Sequence, residues 1–519
     1  MTHTAPSDAT AAAARRWTLV SAVLGSSMAF MDGTVVNVAL PAIQRNLGAS
    51  GADAQWIIEA YALFLAALLL VGGALGDRFG RKRLFLIGVA VFTVTSAACA
   101  AAQGTGQLIA ARALQGIGAA LLVPGSLALL GANFPEASRG RAIGTWSAFS
   151  GITAAIGPVV GGFLVDHFSW RWAFLLNVPI GVVLVLACLA KVPESRGSAD
   201  GPVDVAGAVT ATLGLAGIVF ALIEAPARHW NAAPVLAAGA LGLGGLAAFL
   251  ACEARARDPM LPLHLFRNRD FAGANLLTLL LYAALGGGLY FVPLNLIQVQ
   301  GYGATAAGAA LLPFVAIMFA LSRWAGSLVD AVGAKIPLVI GPAIAAAGFA
   351  LFARPGVGGS YWTTFFPAIC VLGLGMTITI APLTTTVMNA LGESLAGTAS
   401  GVNNAVSRAA GLLAIAALGA LLANVFEARL HEALAHSGLS NDLADAVFGQ
   451  RRQLAAIAPP DGAASAVAAR VHAVVGDAFV AGFRAVMLAS AALALAGALS
   501  AWWLISGRRP GTDSKGHDA

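Results

Sequence analysis

The stretch Gly72-Gly73-Ala74-Leu75-Gly76-Asp77-Arg78-Phe79-Gly80-Arg81-Lys82-Arg83 is a short charged turn set between two long apolar runs. Residues 55–76 before it and 84–103 after it are each long and apolar enough to cross a bilayer as a helix, which takes about 20 residues. Arg78, Arg81, Lys82 and Arg83 crowd one membrane boundary, and clusters of that kind are retained on the cytoplasmic side. The turn also recurs. In Gly326-Ser327-Leu328-Val329-Asp330-Ala331-Val332-Gly333-Ala334-Lys335 the pattern G-x-L-x-D-x-x-G-x-K returns, matching Gly73, Leu75, Asp77, Gly80 and Lys82 at a constant offset of about 253 residues. An internally duplicated membrane unit leaves such a mark.

Composition agrees. Charged residues are 10% of the 519 and hydrophobic residues 58%, against roughly 25% charged in soluble proteins, so polar groups cannot surround a globular core. The expected fold is an all-α polytopic membrane protein. The net charge of +6 does not indicate nucleic acid, because the basic residues sit in short loops between apolar spans. Cys99, Cys188, Cys252 and Cys370 fall inside apolar runs without paired spacing, so neither a disulfide framework nor a metal site is expected. The first apolar stretch runs from Trp17 past Val38, long enough to be a span rather than a cleaved signal.

Fourteen spans are expected between residues 17 and 505, the first at 17–40 and the last at 479–505. An even number puts both termini on one side. With Arg15 and Arg16 inside, Lys82, Lys191, Lys335 and Lys515 all fall on the cytoplasmic side, in line with the positive-inside bias. The two basic turns follow spans two and ten, so a duplicated six-helix unit needs spans seven and eight as an insertion. The division is a tail at 1–16, a six-helix bundle at 17–192, an inserted pair at 193–258, a second bundle at 259–505 and a tail at 506–519. The polar segment 425–478 reads as a solvated outer loop with short surface helices.

Polar residues inside these spans are the candidates for function. Asp32 lies well within span one, where a charged side chain costs roughly 2.5–3.5 kcal/mol at the centre of a helix. Such a carboxyl faces a cavity and exchanges a proton for a cationic substrate, or is a structural acid bonded to Thr34, Asn37 or a neighbouring helix. Glu59, close to Trp56 and the outer interface, is either a second site acid or a snorkelling one. Arg112 and Gln115 lie three apart in span four, hence on one face. They line the cavity with Asp32 or tie span four to a backbone carbonyl. In span five, Gly157 and Gly161 make a small-xxx-small face, between Gly151 and Gly162, with Pro158 able to bend the helix.

These stretches, in this order and at these spans, resemble signature motifs of major facilitator drug exporters. The Asp32–Pro41 run, and Ser169–Phe174 with Asn177-Val178-Pro179, are similar to the fourteen-span drug:proton antiporter branch. The resemblance covers residues 17 to 505. It implies the major facilitator fold in a 6+2+6 arrangement, with two bundles rocking between inward and outward openings. The implied work is export of amphiphilic drugs driven by the proton gradient, without a cofactor or catalytic residue. A dedicated exporter of one metabolite is the alternative on the same fold.

Asp32, Glu59, Arg112, Gln115 and Asn37 are the candidates for proton coupling and the substrate cavity, and the resemblance implies that Arg112 couples to protonation. It assigns Gly73, Asp77, Arg78, Gly80, Arg81 and Asp330 to a charged latch, with Asp77 capping a neighbouring helix and Arg141 joining it. Gly151, Gly157, Pro158, Gly161 and Gly162 become the helix-sliding motif. The second turn has Ala331 and Ala334 in place of Arg78 and Arg81, so a weaker latch is expected there. Spans nine to thirteen bury Arg323 and Arg408 and no acid, with Ser400, Asn403, Asn404 and Arg408 at cavity positions in span thirteen. The expected partners are a small amphiphile, protons and the lipid bilayer, with no nucleic acid, the protein acting as a monomer in a bacterial cell membrane. No phosphate loop or nucleophile–base pair argues for a pump or an enzyme.

Overall fold

In hydrocarbon each backbone N–H and C=O must be satisfied within its own segment, so long apolar runs fold as helices. The computed structural model describes residues 8–197, 204–256, 259–391, 395–459 and 463–506; the side chains at 8–11, 70, 136–137, 330 and 396–397 lie outside the description. Among the described residues, fourteen helical stretches are long and apolar enough to span a bilayer. The first group is α1 (Asp8–Leu47), α2 (Gly51–Phe79), α3 (Arg81–Ala101), α4 (Thr105–Asn133), α5 (Glu136–His167) and a broken span of α6 (Trp172–Leu175) and α7 (Asn177–Lys191). An antiparallel pair follows, α8 (Val205–Arg228) and α9 (Ala233–Arg255).

The second group begins with α10 (Arg269–Leu294), prolonged by a π turn over Asn295–Val299. Its next span breaks into α11 (Ala304–Ala309) and α12 (Leu312–Val332). The break falls where Pro313, lacking an N–H, enters at the start of a helix. The rest are α13 (Lys335–Phe352), α14 (Tyr361–Asn389), α15 (Ala396–Ala435), the short α16 (Asn441–Gly449) and α17 (Ser465–Leu504). The 425–478 segment departs from the sequence expectation. Its Ala-rich flanks, strong helix formers, extend α15 to Ala435 and start α17 at Ser465, leaving between them α16 and a 3-10 turn over Arg451–Ala456.

Two ends define the molecule: a basic end, carrying the Gly72–Arg83 turn, and the far end. The groups meet at the far end. There Asp166 at the close of α5 accepts the Ala304 N–H at 3.0 Å and the Thr305 N–H at 2.8 Å, capping α11. Gln298 donates to Gln44 at 2.8 Å. Leu454, on the 3-10 turn, packs against Gly51 at the start of α2. Towards the basic end α5 and α12 part. Phe149 and Ile152 on α5 and Phe319 and Trp324 on α12 are exposed, Phe319 by 71%.

The α8–α9 pair covers the seam between the groups. Leu215, Val219 and Ile223 of α8 form one apolar cluster with Leu63 of α2 and with Leu412 and Ala416 of α15. Beyond it α9 packs chiefly on α8, through close approaches at Gly214, Gly217 and Gly242.

Candidate functional site

Asp32 stands mid-way along α1, facing α4. Its carboxylate forms an ion pair with Arg112, and neither side chain is exposed. Gln115 donates to Asp32 Oδ1 at 3.0 Å and Asn177 donates to the same oxygen at 3.1 Å. The same Arg112 Nη1 that reaches Asp32 also donates to Gln115 Oε1 at 2.8 Å, while Nε donates to the Ile57 carbonyl of α2 at 3.0 Å. Arg112 is therefore at once the partner of Asp32 and a tie from α4 to a backbone carbonyl of α2. Ser96 of α3 accepts from Asn177 at 3.1 Å and donates to the Phe174 carbonyl at 2.8 Å. The Arg112 guanidinium lies 4.3 Å from the Tyr61 ring centroid. The carboxylate thus joins α1 to α4 and α7 directly, and Arg112 and Asn177 extend the network to α2 and α3. A buried charge pair of this kind holds only while its hydrogen bonds are complete.

Helix geometry explains which residues join. Arg112 and Gln115 share a face of α4, and α1 comes close to α5 because of two glycines. At Gly157 a Cβ would collide with Thr34; at Gly161 it would lie 2.9 Å from Val35 Cγ1 and 3.0 Å from the Val35 carbonyl. The adjacent face of that segment, about 100° around the helix, reaches the second group: Gly162 abuts Ala304, and the Pro158 carbonyl abuts Gly308. Asp32 is therefore linked through α1 and the α5 glycines to α11. Gly151 is different. It is exposed with open space around it, because α5 and α12 have parted at that level, so it packs against nothing in this form.

Two further expectations are corrected. Asn37 does not join Asp32: five residues on, it points about 140° away around α1, and its amide oxygen is buried without a partner among the described residues. Glu59 is no snorkelling acid. It is fully buried, and neither oxygen has a partner among the described residues. It stands apart from the Asp32 network, within electrostatic range of Tyr290 on α10, whose hydroxyl is also unpartnered.

At the basic end, Gly73 lies near Pro124 of α4. Gly80 adopts φ +112°, which an L side chain strains to reach. Gly333 in the second turn repeats this at φ +80°. Asp77 pairs with Arg81 at 2.7 Å, and its carbonyl accepts the Gly197 N–H at 2.9 Å. Asp77 does not cap α3. Glu194 does, accepting the backbone N–H of Lys82 at 2.9 Å and of Arg83 at 3.1 Å, at the helix end that favours an anion. Arg78 lies against the Phe79 ring instead of an acid, and Arg141 is exposed without an ion pair among the described residues. The Asp330 side chain lies outside the described residues.

Sequence reading missed Ser96, Tyr61 and Glu194. A hydroxyl in an apolar helix carries no signal, but Glu194 stands in a polar linker directly after a span, where a carboxylate can reach back to a helix start. Arg323, expected to be buried, is exposed on α12, whereas Arg408 is half-buried.

The fold and this polar cluster define a membrane carrier of two facing helical groups. The model of the Major Facilitator Superfamily matches residues 22–415, and the chain belongs to that family. It is a multi-pass membrane protein. It is similar to the tetracenomycin C resistance and export protein of Streptomyces glaucescens, at 36% identity over 417 residues, covering 79% of this chain and 76% of the relative. It is also similar to the multidrug resistance protein Stp of Mycobacterium tuberculosis, at 34% over 414 residues, 80% of this chain and 77% of the relative. Among solved structures, a bacterial homologue of the human lysosomal transporter Spinster, in an inward-facing and occupied conformation, gives a TM-score of 0.67. That match covers 95% of this chain and 97% of the other at 17% identity, a likeness of fold.

Proposed function

We propose that the protein is a secondary active exporter that expels amphiphilic organic compounds from the cytoplasm in exchange for protons. It is a carrier, with no chemical step. The observation that carries this reading is the Asp32 carboxylate, buried with Arg112 in the middle of a span. A charge held there at cost marks a proton or ligand path. The relatives named for resistance and export support the direction of transport. The basic turn supports a cytoplasmic basic end and cytoplasmic termini, which makes this the inward-open form.

Substrate enters between the parted ends of α5 and α12. Ionised Asp32 locks α1 to α4 and α7 through Arg112, Gln115 and Asn177. A proton delivered to Asp32 removes the charge that Arg112 answers and frees those amides, so α1 can shift on the α5 glycines. Because the same α5 segment bears on α11, the shift reaches the seam between the groups. Asp77, Arg81 and Glu194 then stabilise the turn that closes the basic end. Glu59 is proposed as a second acid on the seam, acting separately from the Asp32 network.

Proteoliposomes with an imposed pH gradient and a panel of amphiphiles test the reading. Export that stops when an ionophore collapses the gradient supports it, and export unaffected by the ionophore contradicts it. Transport confined to one compound of the panel would favour a dedicated metabolite exporter.

A further inference from the structure

The second group contains a charge that no acid answers among the described residues. Between Phe271 and Asn424 the acids in the sequence are Asp330, in the last turn of α12, and Glu393. Within that stretch Arg408 stands in the middle part of α15, half-buried, and forms no ion pair among the described residues. Its polar neighbours are engaged elsewhere. Asn403 donates to Asn275 at 3.2 Å and to Thr278 at 2.6 Å, Asn404 donates to the Ser400 carbonyl at 3.1 Å, and Ser407 donates to the Asn404 carbonyl at 2.9 Å.

The position of Arg408 follows from how α2 and α15 meet. Towards the far end the two helices touch, Gly419 against the Gln55 side chain and Leu412 and Ala416 in one cluster with Leu63. Arg408 lies one turn nearer the basic end than Leu412, where the groups begin to part. Ser400, Asn404 and Arg408 recur every four residues and share a face, and all three are accessible. Tyr61, whose ring lies against Arg112, is within electrostatic range of Arg408 across the seam. The guanidinium therefore stands on α15 just beyond the α2–α15 contact, facing across the seam the Tyr61 ring that covers Arg112.

An arginine keeps its charge and offers a planar fork that suits carboxylates and related anions. Holding that charge unpaired at membrane depth is costly, and a ligand anion would answer it. We propose that Arg408 is the recognition site for the anionic group of the transported amphiphile, a carboxylate, sulfonate or ionised phenol. Organic anions of this kind, rather than dications, are then the preferred cargo. The inference rests on the export reading above.

Fluorescein and tetramethylrosamine share a tricyclic ring and differ in charge, which makes them matched probes. Binding to the purified full-length protein and uptake into inside-out phosphatidylcholine proteoliposomes are measured for the wild type, Arg408→Gln and Arg408→Lys. The lipid carries no net charge and does not compete as an anion. The expected result is that Arg408→Gln weakens fluorescein binding by about tenfold or more, the scale of a lost charge-assisted hydrogen bond. Arg408→Lys keeps most of the affinity, and tetramethylrosamine is unchanged in both variants. Unaltered fluorescein binding by Arg408→Gln, or an equal loss for both probes, would overturn the site. Arg408-dependent fluorescein binding without uptake of either probe supports the site while contradicting export. Gradient-driven tetramethylrosamine uptake in a protein that does not bind fluorescein sustains export and overturns the site.

Discussion

Asp32 and Arg112 form an ion pair in which neither side chain meets solvent, and Gln115 bonds to both members. The pair couples α1 to α4 while Asn177 adds α7. Removing one partner leaves the other charge buried and unanswered, which commonly costs 3–5 kcal/mol, whereas removing both often costs little.

Arg112→Met should therefore destabilise the purified protein by about 3–5 kcal/mol, and Asp32→Asn combined with Arg112→Met should recover most of that loss. Thermal unfolding in detergent measures both. Equal stability of the single and double variants would show that the two charges are not coupled. Neither variant should export against a gradient.

Glu194 caps α3 from a linker far away in sequence. Glu194→Ala should cost about 0.5–2 kcal/mol, as the loss of other helix caps does, and should slow closure of the basic end. Asp77→Asn, which breaks an accessible pair with Arg81, should change stability by about 1 kcal/mol or less and slow the interchange of states while leaving substrate binding intact. Lost binding with normal interchange, for either variant, would argue against a latch.

Two glycines on α5 should respond in opposite ways to the same change. Gly161→Leu places carbon against the Val35 backbone and should impair folding. Gly151→Leu meets open space in this form and should leave thermal stability intact, or raised by up to about 1 kcal/mol from helix propensity. If α5 and α12 close during transport, Gly151→Leu nonetheless abolishes export. Normal export by that variant would mean that this part of α5 stays uncovered throughout the cycle.

Asp166 ties α5 to α11 at the far end through Ala304 and Thr305, whose hydroxyl donates at 2.6 Å. Asp166→Ala removes these bonds and should shift the population towards far-end opening by about tenfold or more, the worth of at least one charge-assisted hydrogen bond. Spin labels across the α5–α11 seam report the change as a longer distance. An unchanged distance distribution would remove Asp166 from the seal.

Much of the site was legible in the sequence because polar residues stand out in apolar runs. Asp32, Arg112 and Gln115 were visible for that reason, and the fourteen spans followed from length and hydropathy. The partnership of Asn177 with Asp32 was not legible, since it depends on how α7 lies against α1, 145 residues away. Glu59 and Asn37 show the converse. Both are polar and within spans, yet rotation about the helix axis takes each away from the Asp32 network. Gly151 looked like its neighbours Gly157 and Gly161 because spacing along one helix does not reveal where the facing helix departs.

The central claim is that Asp32 carries the exchanged proton. Its most direct test is proton movement measured with a pH-sensitive dye trapped inside proteoliposomes during substrate export, for the wild type and Asp32→Asn. The account predicts proton flux coupled to export in the wild type, and in Asp32→Asn neither coupled flux nor export against a gradient, with substrate exchange at equal pH retained. Proton-coupled export at the wild-type rate by Asp32→Asn would contradict it.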